Sequence, residues 1–214
     1  MNRPIYIIGA GGHTSVLLEA LLQEQSIRIS GVLEINATLI GSTILNVPVF
    51  SQEEILKKYS ANDIFLVNGI GSIDAPTLRA KQYEALKLRG YSFKEVVHPI
   101  AYYSKNVILG EGVQLLARSV VLTGTRIGCN TIVNTAASVD HDCRIGHHAH
   151  ISPGAILSGG VEIGDCCHIG TGAIIIQGVK IGANSVIAAG TVVIKNVLAG
   201  SRVAGVPAKN ITKD

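Results

Sequence analysis

From Leu109 onward, every sixth residue is aliphatic: Leu109, Leu115, Val121, Ile127, Val133, Val139, Ile145, Ile151, Leu157, Ile163, Ile169, Ile175, Ile181, Ile187 and Val193. A period of six matches neither the 3.6 of an α-helix nor the 2 of a strand. It fits a short strand followed by a corner. Three such sides close a triangular coil of about 18 residues, and coils stack at the strand spacing of about 4.8 Å. The position two before each aliphatic is small or β-branched in nearly every case, from Val107 and Val113 to Ser185 and Thr191. Gly follows the aliphatic at Gly110, Gly128, Gly146, Gly164, Gly170 and Gly182, with Asn134 and Asp140 in the same place in two other repeats. These residue types predict tight turns there. The pattern predicts a parallel β-helix of hexapeptide repeats over 103–214. With only 4% aromatic residues and no Trp, its core must be built from Ile, Val, Leu and Ala.

Residues 1–102 have a different rhythm. "PIYIIGA", "IRISGVLE", "DIFLVNGIG" and "FKEVVHP" read as strands. "GGHTSVLLEALLQEQ", "SQEEILKKY" and "APTLRAKQYEALKLRG" read as helices, the second opened by a capping box of Ser51 and Glu54. Alternating strands and helices predict a small α/β, Rossmann-like domain with a parallel sheet, ending near Pro99–Lys105. No run of 18 apolar residues is present, and the N-terminus lacks the core and cleavage site of a signal peptide. A cytoplasmic protein that does not enter membranes is expected.

Between the first strand and helix lie Gly9, Gly11 and Gly12. Glycine lets a phosphate approach the backbone, and the helix start supplies amide donors. His13 stands at that helix start, and Glu34 ends the next strand, where dinucleotide folds place a ribose-binding acid. The domain is half the length of a full dinucleotide fold. A mononucleotide or nucleotide sugar therefore fits better than a nicotinamide cofactor, and a purely structural turn remains an alternative.

Charge narrows the partners. Lys and Arg exceed Asp and Glu by 18 to 15, all of the excess in 103–214, with no clustered basic footprint for nucleic acid. A mild positive field suits a polyphosphate ligand. The four cysteines, Cys129, Cys143, Cys166 and Cys167, have no CxxC spacing and read as small core fillers.

Histidines cluster in the repeats at 141, 147, 148, 150 and 168. His150 and His168 are 18 apart and stack on successive coils, but the third zinc ligand is unforced, so no metal is expected. His147 and His148 follow a corner Gly and read as solvated. His141 falls two after an aliphatic position, at a corner, and faces outward. Asp142 beside it can orient the imidazole and favour its protonated form, which suits a group that takes a proton and returns it. Cys143 lies in the inward phase, so an acyl-cysteine is not expected.

"IYIIGAGGHTSV", "NTAASVDHDCRIGHHAHISPGA" and "VAGVPAK" together resemble the bacterial nucleotide-amino-sugar N-acetyltransferases and the related sialic acid O-acetyltransferases, over essentially the whole chain. The resemblance implies a left-handed β-helix, a homotrimer, and acetyl-CoA as co-substrate in the groove between adjacent prisms. It implies that the nucleotide of the sugar rests on the N-terminal domain, at Gly11, Gly12, His13 and Glu34. By the same resemblance His141 is the general base, paired with Asp142 where the family often has Glu, and Asn134 lies near the sugar amine. His150, Gly159, Thr171, Pro207, Ala208 and Lys209 fall at the acetyl-CoA site, with the Gly159 amide placed to donate to the thioester oxygen. The implied reaction is acetylation of a nucleotide-linked amino sugar of the 4-amino-4,6-dideoxy type, for bacterial glycan synthesis. O-acetylation of a sialic acid is the alternative.

Overall fold

A computed structural model describes residues 3–24, 27–72 and 77–212. The chain forms two compact units, Met1–Gly71 with Leu78–Val96, and Ser72–Thr77 with Val97–Asp214.

The first unit is a six-stranded sheet with three helices. In chain order these are β1 (Ile5–Ile8), α1 (Gly12–Leu22), β2 (Ile29–Glu34), β3 (Thr43–Ile44), β4 (Val47–Ser51), α2 (Gln52–Lys58), β5 (Phe65–Asn68), α3 (Thr77–Leu88) and β6 (Ser92–Phe93). The strand order is β3-β4-β2-β1-β5-β6, parallel except for the β3–β4 hairpin. β1 is buried along its whole length because it is central and covered on both faces. The strand order reverses beside β1, between β2 and β5, so the crevice at their carboxyl ends is the natural ligand position in such a sheet. Ser51 caps α2, its Oγ accepting from the Glu54 N–H. The expected single strand "FKEVVHP" is instead two. Ser92–Phe93 pairs with β5, and Val96–Val97 joins the sheet of the other unit.

The second unit is a left-handed parallel β-helix. Two-residue strands pair with their counterparts 18 residues on, as in Gln114–Leu115 with Ile132–Val133 and then His150–Ile151. Of the fifteen aliphatics in register, every one after the half-buried Leu109 is buried. Burial of each such side chain contributes about 1.5–3 kcal/mol. The residues two before them, from Val113 to Thr191, are buried as well. Three of the polar members of that series bond to corner carbonyls, Thr125 Oγ1 donating to the Asp140 O at 2.9 Å, Thr131 Oγ1 to the Gly146 O at 2.8 Å and Ser185 Oγ to the Leu198 O at 2.9 Å, whereas the buried Ser119 and Thr191 hydroxyls meet no protein partner among the described residues. For the three that bond, the carbonyl offsets the cost of burying a hydroxyl.

Each coil presents three faces. One carries Gln114, Ile132, His150, His168 and Val186 outward. The second carries Val120, Ser138, Ile156, Ile174 and Val192. The third carries Arg126, Arg144, Glu162 and Lys180, the last two ion-paired at 3.0 Å.

The corner glycines differ from the expectation. The left-handed residue lies three places after the aliphatic, at every sixth position from Gly112 to Gly190, and half of these positions are not glycine, for example Arg118, Ala136, Asp142 and His148. Gly110, Gly128, Gly146, Gly164 and Gly182 have no positive φ. They are needed because the next coil passes directly against them. A Cβ on Gly128 would lie 2.6 Å from both the Gly146 carbonyl carbon and the His147 nitrogen. Gly190, with φ +67, has open space instead. Gly128→Ala is therefore expected to lower unfolding stability by about 2 kcal/mol or more, since backbone cannot yield as a side chain does. Gly190→Ala is expected to cost about 1 kcal/mol, from backbone strain alone. Denaturant unfolding of the two variants makes the comparison.

Candidate active site

His141 and Asp142 occupy the two turn positions of one corner, between the apolar and charged faces. Asp142 adopts φ +59, a conformation that Asp tolerates better than most residues. This turn points both side chains outward, and each is roughly half exposed or more. His141 Nδ1 and Asp142 Oδ2 are 2.9 Å apart. A carboxylate only accepts, so Nδ1–H donates, and in the neutral ring Nε2 keeps a free lone pair. The Asp140 carboxylate accepts the His141 backbone N–H at 2.7 Å, fixing the approach to the corner.

The next corner of the same column is Gly159–Gly160. Its Gly160 N–H donates to the His141 O at 2.8 Å. The imidazole lies against Gly159, where a Cβ would sit 2.5 Å from Nε2 and 2.6 Å from Cε1. The Gly159 N–H donates to no group among the described residues. An imidazole nitrogen able to take a proton and an uncommitted amide donor therefore share one small patch of surface.

The hydrogen bond to Asp142 raises the His141 pKa above the ordinary 6.5; partial desolvation opposes this, and the charges of Asp140 and Asp142 add to the rise. The fold thus favours the imidazolium. Its stabilising contribution is complete below pH 6.5 and fades as pH rises through the raised pKa. Cys143, next in sequence, is buried and points inward, its Sγ–H donating to the Ser158 O at 3.3 Å. Burial pushes its thiol up to about 11, so almost no thiolate exists at neutral pH.

The other expected site residues fall in separate places. On the histidine-bearing face, the Asn134 Nδ2–H donates to His150 Nε2 at 3.0 Å, and His150 Nδ1–H to the Ser72 O at 3.0 Å. Asn134 Oδ1 accepts from the Thr135 N–H, which orients the amide. Thr171 is exposed at a corner, its carbonyl accepting the Gly190 N–H. Pro207, Ala208 and Lys209 line a cleft of about 420 Å³ with Ile194, Lys195 and Asn196. In the N-terminal unit, Gly11 and Gly12 stand in open space at the start of α1, followed by His13. The Glu34 carboxylate accepts from the N–H groups of Ala10, Ile35 and Asn36 at 2.7, 2.7 and 3.0 Å, fastening the glycine turn to the end of β2. Burial pushes its carboxyl up, but those three bonds outweigh burial and leave it below the usual range. Spacing alone did not reveal this bracing role. Among the described residues, no three His, Cys, Asp or Glu side chains converge as a metal-binding group.

Residues 160–195 match the bacterial transferase hexapeptide family, and residues 4–86 match the PglD N-terminal domain. The class is thereby a hexapeptide-repeat transferase with an N-terminal α/β unit. Solved structures narrow it. PerB from Caulobacter crescentus, in complex with CoA and GDP-perosamine, is 34% identical, with 98% of this chain and 97% of that one covered and a TM-score of 0.87. The acetyltransferase domain of PglB from Neisseria gonorrhoeae, in complex with acetyl coenzyme A, is 34% identical over 99% and 100%, with a TM-score of 0.89. WeeI from Acinetobacter baumannii is 26% identical over 97% and 99%, with a TM-score of 0.84. No curated protein sequence matches. The chain belongs to the bacterial nucleotide-amino-sugar N-acetyltransferase family, whose members are acetyl-CoA-dependent sugar acetyltransferases.

Asp142→Asn is expected to bring the His141 titration, followed by imidazole NMR, down toward 6.5. An unchanged midpoint would mean that the carboxylate does not set it.

Proposed function

We propose that this protein transfers the acetyl group of acetyl-CoA to the amine of a nucleotide-linked 4-amino-4,6-dideoxy sugar for bacterial glycan synthesis, with His141 as general base and Asp142 as its orienting partner. The observation that carries the reading is the His141–Asp142–Gly159 corner. It offers a proton acceptor and an amide donor together, which is what attack of an amine on a thioester needs. The relative bound to CoA and GDP-perosamine supplies the substrate class.

The amine nitrogen attacks the thioester carbonyl, a C–N bond forms, and the amine proton passes to His141 Nε2. The tetrahedral oxyanion is held by the Gly159 N–H. The C–S bond then breaks, and CoA leaves as a thiolate that takes a proton. A neutral amine is already nucleophilic, so no Ser or Cys nucleophile is required, which agrees with the inert Cys143 thiol. An imidazole with a raised pKa is better matched to an ammonium-type proton than an ordinary one.

The Asn134–His150 pair lies on a different face of the prism from His141. Both can serve one acetyl-CoA if a second prism brings its own His150 face to the His141 corner, as a homotrimer does. The apolar ladder with exposed Ile156 and Ile174 supplies the surface for such packing. The tail at Pro207–Lys209 and Thr171 complete the CoA groove, while Gly11, Gly12 and His13 receive the diphosphate, with Glu34 bracing their turn.

Two measurements test the proposal. His141→Asn should lower kcat by about 10²–10⁴-fold with the circular dichroism spectrum unchanged; near-normal turnover would remove His141 from the chemistry. CoA-thiol release with GDP-, UDP- and dTDP-linked amino sugars should proceed in sedimenting trimers. Release only with a hydroxyl acceptor such as a sialic acid, or full activity in monomers, would overturn the acceptor or the assembly respectively.

A further inference from the structure

The corner one coil before the dyad is Thr123–Gly124. The Asp142 N–H donates to the Thr123 O at 2.9 Å, so the two corners are stacked. A Cβ on Gly124 would lie 3.2 Å from Asp142 Cγ and collide with Asp142 Oδ1. The other carboxylate oxygen, Oδ2, is the one that holds His141. We propose that Gly124 is a positioning residue: its missing side chain is the floor on which the Asp142 carboxylate rests while it orients His141. The catalytic consequence rests on the reading of His141 as the base.

Backbone conformation alone does not require glycine at this place. Gly124 has φ +75, but the equivalent corner positions hold Arg118 at φ +60 and Ala136 at φ +55. The fold therefore tolerates a Cβ in this conformation. What sets Gly124 apart is the neighbour. The atom that a Cβ would strike is the end of a side chain, which swings aside at little cost to folding, but swinging aside breaks the bond to Nδ1. The groups that face His141 are few. Its own corner carries Asp140 and Asp142, and the stacked corners carry Thr123, Gly124, Gly159 and Gly160, none of which titrates. The titration of His141 accordingly reads the placement of the two aspartates.

Gly124→Ala is compared with Gly200→Ala, which has φ +72 and nothing within 4 Å of an added Cβ, and so carries the same backbone strain alone. In the full-length protein, Gly124→Ala should move the His141 NMR midpoint toward 6.5, and the acid limb of kcat/KM should move to lower pH with it. Gly200→Ala should leave both in place. In an Asp142→Ala background, where no carboxylate remains to collide, Gly124→Ala should have no further effect on the midpoint. A wild-type midpoint in Gly124→Ala, an equal shift in Gly200→Ala, or an equal shift in the Asp142→Ala background would each overturn the proposal. A shifted NMR midpoint with an unmoved acid limb would retain the positioning role and instead remove His141 as the base.

Discussion

The close stacking of successive coils governs this molecule. Parallel ladders join residues 18 apart on three sides, and the corners are held in the same rhythm, as in Asp142 N–H to Thr123 O and Gly160 N–H to His141 O. At strand spacing, each corner touches the one before and the one after, with room for few side chains between. Gly128 and its column relinquish Cβ so that backbones can pass. The dyad corner keeps its side chains because glycine corners lie on both sides of it.

That arrangement produces an unusual electrostatic setting. The histidine is open to solvent on one side, yet its partner carboxylate is constrained by neighbouring backbone. Exposed charge pairs ordinarily contribute little, because long side chains wander and water screens them. Here the arm is short and its floor is fixed, so the pair can hold a protonation preference without burial. The thiol beside it shows the opposite case, in which burial is the main cause that suppresses ionisation.

Much of this architecture was legible in the residues. The sixfold aliphatic register locates every two-residue strand from Ile108–Leu109 to Val192–Val193, and the outward phase of His141 follows from it. The glycines after the aliphatics were visible, but their reason was not. Spacing marks a small residue without saying whether φ or a neighbouring coil demands it, and only the stacked backbone distinguishes Gly128 from Gly190. Glu34 reads as an acid at a strand end, but its three backbone bonds depend on how the 9–12 and 34–36 turns meet in three dimensions. The hydrogen bond between His150 and the Ser72 carbonyl joins residues 78 apart and has no periodic signature. The break of "FKEVVHP" into two strands reflects competition between two sheets for one segment, which local propensity does not encode.

The 18-residue ladder also restricts how such a chain can change length. Removing one residue from a coil would rotate every later side chain by a position, turning aliphatics out and charges in. Removing or duplicating a whole coil would preserve the register of everything beyond it. Length variation in this half of the molecule is therefore quantised, and drift by single insertions is confined to the corners, where a loop can bulge away without disturbing the floors above and below.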